Sequence, residues 1–253
     1  MTDKKSKSSE HKHLDEQLSA WPYEVDGLNV RRTQGADGRE LLQLRVEMGI
    51  LQLEIEGRPD GERPSGANSY FDHLAESVLL QKGEFELTEE QCEQVDREFV
   101  QFYHRRVCWL RLQEYRRAVA DADHTLGLMD FCKVYSPDDQ WTMSHEQYRP
   151  FVLFHRTQAM ALARLEEDGP EAAVQEVTEG LGKLQVMFEE FGVDEHFEDD
   201  ELVNRLIEFR ESMRREYDVG KTLKERLHDA IESEQYELAA RLRDELAQRE
   251  PRH

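Results

Sequence analysis

Apolar residues repeat with two different periods along this chain, and the change from one to the other divides it. Between residues 40 and 56 they alternate. Leu42, Leu44, Val46 and Met48 are separated by polar residues, the period-2 pattern of a strand with one face buried. After Gly49 the phase slips by one position, to Leu51, Leu53 and Ile55. A bulge or kink at Gly49 would keep one face inward through the slip. Leu28 to Arg32 reads as a further short strand, and Gln34 to Gly38 as a turn with two glycines able to take positive φ. So few strands are marginal alone, so this small sheet is expected to pack on helices.

A loop dense in Pro and Gly, Gly57 to Gly66, ends the β region, and from Ala67 onward the period is helical. Thr88-Glu-Glu-Gln91 is a capping box, in which the Thr hydroxyl and the Gln amide satisfy backbone donors at a helix start. The helix it opens carries Val95, Phe99, Phe102, Tyr103 and Trp109. Further helices are predicted over 113–133, about 144–167, 170–191 and 200–217. Gly169-Pro170 separates two of them, with Pro170 suited to a first helical position, and Pro150 falls where the third begins.

The segment 219–250 has the most specific pattern. Leu223, Leu227, Ala230 and Ile231 fall at i, i+4, i+7 and i+8, an apolar stripe on one helix. Ser233-Glu-Gln235 interrupts it, and a second stripe follows with Tyr236, Ala239, Leu242 and Leu246. Two short amphipathic helices joined by a tight turn make an antiparallel hairpin. Ala239 and Ala240 permit close backbone approach. Isolated helices of this length are marginal in water, and each exposed Leu or Ile gains roughly 1.5–3 kcal/mol on full burial. The pair is therefore expected to dock on something: another protein, which is the leading expectation, another copy of this chain in a homodimer, or the rest of the chain itself.

Charge narrows the choice of partner. The chain has 253 residues, 35% of them charged, and a formal net charge of −22. That sign repels a phosphate backbone, whose affinity for proteins comes from Lys and Arg, so direct nucleic-acid binding and anionic membrane surfaces are disfavoured. The acid is concentrated over 188–201, at Glu189, Glu190, Asp194, Glu195, Glu198, Asp199, Asp200 and Glu201, with no Lys or Arg among them. A solvated acidic face is the plain reading, and a contact for a basic partner the sharper one. The polar residues 1–19 are expected to stay disordered, and His11 and His13 within them to be merely solvated. No apolar run reaches membrane-spanning length, and no apolar signal segment leads the chain, which favours a cytoplasmic setting.

Candidate chemistry is sparse. Cys92, Cys108 and Cys132 lack metal-ligand or redox spacing, so no metal and no cofactor is expected. Cys108 and His104 stand i, i+4 on one helix face, which suits a packed thiol beside a core histidine better than a catalytic pair. There is no phosphate-binding G-x-x-x-x-G-K-[ST] loop, no G-x-S-x-G, no H-E-x-x-H and no calcium loop. Arg58 and Arg63, on the rigid loop, form a candidate anion clamp, against the plainer reading of a turn with exposed arginines. The chain is read as no enzyme.

Two resemblances add to this. Tyr115-x-x-Ala118-x-x-Asp121 with Leu126 and Leu128, preceded by Phe102 and Trp109, resembles a tetratricopeptide unit; Ala161, Gly169, Ala173, Val177 and Leu181 echo a second. Ala118 and Ala173 stand 55 residues apart, against a family period of about 34, and the stretch from Asp130 to Tyr148 reads as an insertion. Two units fall short of a free solenoid, so a compact bundle of tetratricopeptide-like hairpins is expected; the resemblance implies a scaffold that holds other proteins. Leu223 to Leu246, with Tyr236 followed by Ala239-Ala240 and Leu242-Arg243-Asp244, resembles the UVR (UvrB/UvrC) motif. In that family the motif joins excision-repair subunits, and related hairpins occur in Clp-protease regulators of the McsA type and in Clp ATPases. The cysteine pairs of McsA-type activators are missing here.

The expected architecture is mostly α, in five parts: a disordered tail (1–19), a small β region and loop (20–66), a tetratricopeptide-like bundle (67–193), an acidic segment with a linking helix (194–218) and a UVR-like hairpin (219–250). The expected function is that of an adaptor or regulator docking through Leu223, Leu227, Ala230, Ile231, Tyr236, Ala239, Ala240, Leu242, Arg243, Asp244 and Leu246. Clp and McsA-type quality-control partners fit that reading. The alternative is an accessory factor of nucleotide excision repair recruited through UvrB/UvrC-like subunits.

Overall fold

Leu42 faces Leu53, and Leu44 faces Leu51, across one antiparallel strand pair. The computed structural model describes residues 14–27, 29–81 and 83–249. Its strands β1 (Val30–Gln34), β2 (Glu40–Val46) and β3 (Gly49–Glu54) form one antiparallel sheet in the order β1-β2-β3. Val46 pairs with Gly49, so Glu47 and Met48 are a two-residue reversal. This corrects the expected bulge at Gly49. The chain turns back on itself there, and in an antiparallel pair even positions before the turn meet odd positions after it. Met48 sits at the tip, 92% exposed, and not on an inward face. Of the strand expected from Leu28, that residue lies outside the described ones, and β1 begins at Val30.

The expectation of disorder over 1–19 is corrected where it can be seen. Residues 1–13, with His11 and His13, lie outside the described part, but α1 (Asp15–Ala20) is helical. Its anchor follows it: the Arg31 guanidinium lies 4.1 Å from the Trp21 ring centre, and Arg45 Nε donates to Trp21 O at 2.9 Å. One aromatic and one carbonyl thus hold a segment that buries none of its own residues.

The chain forms two compact units, Met1–Gln147 and Tyr148–His253. The division falls within the stretch 67–193. In the first unit the sheet is followed by α2 (Tyr70–Leu80), α3 (Glu89–Arg111), α4 (Tyr115–Tyr135) and α5 (Asp139–Glu146). The Thr88–Gln91 capping box is present with both of its bonds. Helices α3 and α4 pack as a hairpin around a turn where Gln113 takes φ +61°. Leu74, Leu87, Val95, Leu128, Phe131, Cys92 and Cys132 fill the core they share with α2. The expected insertion contains the end of α4 and all of α5, which is pinned to α3 because Trp141 Nε1 and His145 Nε2 both reach Asp96 Oδ1, at 3.0 and 2.9 Å.

The second unit contains α6 (Arg149–Glu167), α7 (Pro170–Glu190), α8 (Glu201–Tyr217), α9 (Leu223–Glu232) and α10 (Tyr236–Arg249). Pro150 and Pro170 occupy first-turn positions, and Gly169 takes φ +93° before Pro170. Phe154, Ala161, Val174, Val177, Leu184, Val203 and Leu206 knit α6, α7 and α8 together. Within the acidic run, Asp200 caps α8, accepting from the N–H groups of Leu202 and Val203 at 2.9 and 3.0 Å. A carboxylate at a helix N-terminus also complements the helix dipole.

Candidate protein-docking hairpin

Helix α9 starts as its sequence dictates. Thr222 Oγ1 accepts from Glu225 N at 3.3 Å, and Glu225 Oε2 accepts from Thr222 N at 2.8 Å, a second complete capping box. The turn to α10 needs a left-handed residue, which Glu234 supplies at φ +54°. Gln235 N then bonds back to Ala230 O at 2.7 Å, closing the end of α9.

Between the helices lies a small apolar seam. Ala230, Ala239 and Leu242 are buried, with Leu223 and Leu227 partly buried against them. The small residues of the seam are Ala230 and Ala239; of the pair expected to permit close approach, Ala239 is buried and Ala240 only half-buried. The five seam residues therefore build the hairpin itself. Ile231 is 52% exposed, Tyr236 68% and Leu238 39%. The expectation that all of the apolar positions face a partner is thus corrected, since a two-helix seam consumes one stripe from each helix. Ala240 is half-buried, and Arg243 and Asp244 pair with one another on the surface at 2.8 Å. The side chain of Leu246 lies outside the described ones. Leu238 is a surface residue that the sequence reading passed over, because it falls off the seam's period.

The edge of α9 opposite the seam meets α8. Arg214 donates to Glu225 Oε2, and Arg210 NH1 lies 3.7 Å from Glu225 Oε1. Lys221 Nζ bonds Asp229 Oδ2 at 2.6 Å alongside. Burial pushes the Glu225 carboxyl up, but the Thr222 N–H and the Arg214 guanidinium outweigh it and leave it below the ordinary glutamate value.

The anion clamp expected at Arg58 and Arg63 is not what those residues build. Arg58 is 1% exposed, with Asp60 at 3.1 Å, Glu98 at 3.7 Å and the amide oxygens of Gln101 and Gln94 at 3.2 and 3.1 Å. Arg63 donates to the carbonyls of Glu56 and Glu62. Carboxylates and amide oxygens satisfy Arg58, because a buried guanidinium left open for a ligand would carry a large desolvation cost; Arg63 is exposed and is held, among the described residues, by backbone carbonyls alone. Glu98 in turn accepts from the first two amides of α2, Tyr70 at 2.6 Å and Phe71 at 3.0 Å. Together with the Arg105–Asp121 pair at 2.7 Å, this layer staples the loop after β3 to α3 and α4.

The thiols sit in cores. Burial, and then the charge of Asp121, push Cys108 up to about 12; burial raises Cys132 to about 12 and Cys92 to about 11. Burial also lowers His104. Among the described residues no group of three or more His, Cys, Asp or Glu side chains is arranged to hold a metal, and no helix is long and apolar enough to cross a membrane.

A paired-helix module with a small-residue seam is the class this segment defines. The family model described as the UvrB/uvrC motif matches residues 221–248, the span from the capping box of α9 through most of α10. Neither the curated proteins nor the solved structures offer a match to the chain.

Proposed function

We propose that this chain is a non-enzymatic adaptor or regulator that docks on another protein through its UvrB/uvrC-motif hairpin. The observation that carries the reading is the motif match together with the hairpin's surface: Ile231, Tyr236 and Leu238 remain exposed after the seam between α9 and α10 has taken its own residues. Exposed aromatic and aliphatic groups on a rigid helix are the anchors that dominate protein interfaces. The helical hairpins α3–α4 and α6–α7 serve as scaffold, and a net charge of −22 turns the chain away from direct nucleic-acid contact. The setting is the cytoplasm, and the partners that fit are Clp ATPases and McsA-type quality-control regulators. An excision-repair role would run through UvrB/UvrC-like subunits, a reading favoured by the motif's own description.

The test uses the full chain and a variant carrying Ile231→Asp, Tyr236→Ala and Leu238→Asp, which leaves the seam intact. Both are immobilised and challenged separately with purified Clp ATPase, McsA-type regulator, and UvrB- and UvrC-type subunits. Binding of one class to the unsubstituted chain, reduced at least about tenfold by the variant, supports docking and names the pathway. Equal binding to both chains, or to neither, overturns it.

A further inference from the structure

Glu225 does two jobs with one carboxylate. Its Oε2 accepts from Thr222 N at 2.8 Å and from Thr222 Oγ1 at 3.1 Å, completing the first turn of α9. The same oxygen accepts from Arg214 of α8, while Arg210 approaches Oε1. At 100° per residue, Glu225 and Asp229 lie on one face of α9, and Leu223, Leu227 and Ala230 lie on the other. So α9 turns its apolar stripe to α10 and its acidic face to α8.

Among the described residues no apolar cluster joins the hairpin to α8. The cluster of α6, α7 and α8 reaches as far as Val219, and the hairpin's cluster consists of its own residues. The cleft between them is lined by polar and charged residues, among them Glu179, Arg210, Arg214, Glu225 and Asp229, whose carbon stems make up most of its exposed surface and whose charged heads meet across it. Arg214 Nε is moreover buried there without an acceptor, a standing cost that exposure to water would remove.

We infer that the Glu225–Arg214–Arg210 contact is an ionic latch that sets the hairpin against α8 and releases it as a unit, seam intact. An apolar attachment would tighten in salt, whereas an ionic one loosens. The latch holds the hairpin while Ile231, Tyr236 and Leu238 stay outward, so it orients the exposed edge and does not cover it. This goes beyond the docking reading and stands or falls without any partner present.

The test needs only the full chain. Spin labels at Glu208→Cys on α8 and Glu237→Cys on α10, both exposed positions, report the distance between hairpin and body; the native thiols are buried. Raising ionic strength from about 0.01 M to about 1 M shortens the screening length from about 30 Å to about 3 Å. The expected result is a narrow distance distribution that broadens with salt. Arg210→Ala with Arg214→Ala broadens it already at low salt, and the amides of α9 exchange roughly five- to tenfold faster. Thr222→Ala removes the cap but keeps both arginines. It frays the first turn of α9 and leaves the distance narrow. Because the salt titration uses no charge variant, a folding defect in the double substitution does not remove the test. A distribution indifferent to salt overturns the latch, as does a broad one at low salt in the unsubstituted chain.

Discussion

Thr157 of α6 occupies the space above Gly180 of α7: a Cβ built on Gly180 would stand 2.2 Å from Thr157 Cγ2 and 2.3 Å from its Oγ1. The two helices cross at that point. Glycine is present because the backbones touch, although glycine inside a helix costs about 1 kcal/mol relative to alanine.

Two alanine substitutions on one helix should therefore have opposite signs. Gly182, two residues on, has nothing within 4 Å of its built Cβ. Gly182→Ala is expected to stabilise the second unit by about 0.5–1 kcal/mol through helix propensity. Gly180→Ala is expected to destabilise it by about 1–3 kcal/mol through overpacking, with Thr157→Ala giving back part of the loss. Urea unfolding of the four chains measures both, and a stabilising Gly180→Ala would refute the close crossing.

Glu98 is 0% exposed and serves three partners at once: the N-terminus of α2, Arg58, and His124 Nε2 at 2.9 Å. Glu98→Ala leaves Arg58 buried with fewer countercharges and strips α2 of its tertiary cap. A loss of about 3–5 kcal/mol is expected. Glu98→Gln, which still accepts at one oxygen, should lose less. Near-UV circular dichroism against denaturant reads the difference, and equal losses would show that the charge carries none of the effect.

Thiols pushed up to about 11 or 12 are almost wholly protonated near pH 8, with about one thiolate in a thousand or fewer. Cys92, Cys108 and Cys132 should resist Ellman's reagent in the folded chain and react fully after denaturation. Rapid labelling of Cys108 in the native state would reopen the question of a reactive thiol beside His104.

Acid should open the latch before it unfolds the rest. The folded-state value of Glu225 lies below that of the unfolded chain. Its stabilisation is therefore complete above the ordinary glutamate range, near 4.3, and is lost as the pH falls through the folded value. Facing it are Arg210 and Arg214 from α8, both also bound by Glu211 of that helix, Glu179 from α7, and Lys221 and Asp229 on its own side. The Glu208–Glu237 label distance should stay constant above about pH 5 and broaden below it. Arg214→Ala should flatten that dependence; an unchanged profile would mean the acid transition belongs to other carboxylates.

The features legible in the sequence are those whose partners lie within a few residues. The Thr88–Gln91 capping box, the breaks at Gly169-Pro170 and at Ser233 to Gln235, and the apolar stripes of the hairpin rest on short-range relations that a helix brings together whatever surrounds it, and Thr222 with Glu225 carries the same box signature, which the sequence reading passed over. The alternating strand residues were equally plain, but not the turn at Glu47-Met48, because a slip in phase has the same appearance for a bulge and for a reversal. The fate of Arg58 depended on Glu98, forty positions away, and that of Glu225 on two arginines of the preceding helix. Sequence determined most of the helical segments, though not α1 or α5, and which two of them pair as a UvrB/uvrC-type hairpin. Tertiary structure alone decided which charges neutralise one another inside and which apolar side chains, Ile231, Tyr236 and Leu238, are left outside. Burial is a property of what packs above a residue, and no local period encodes it.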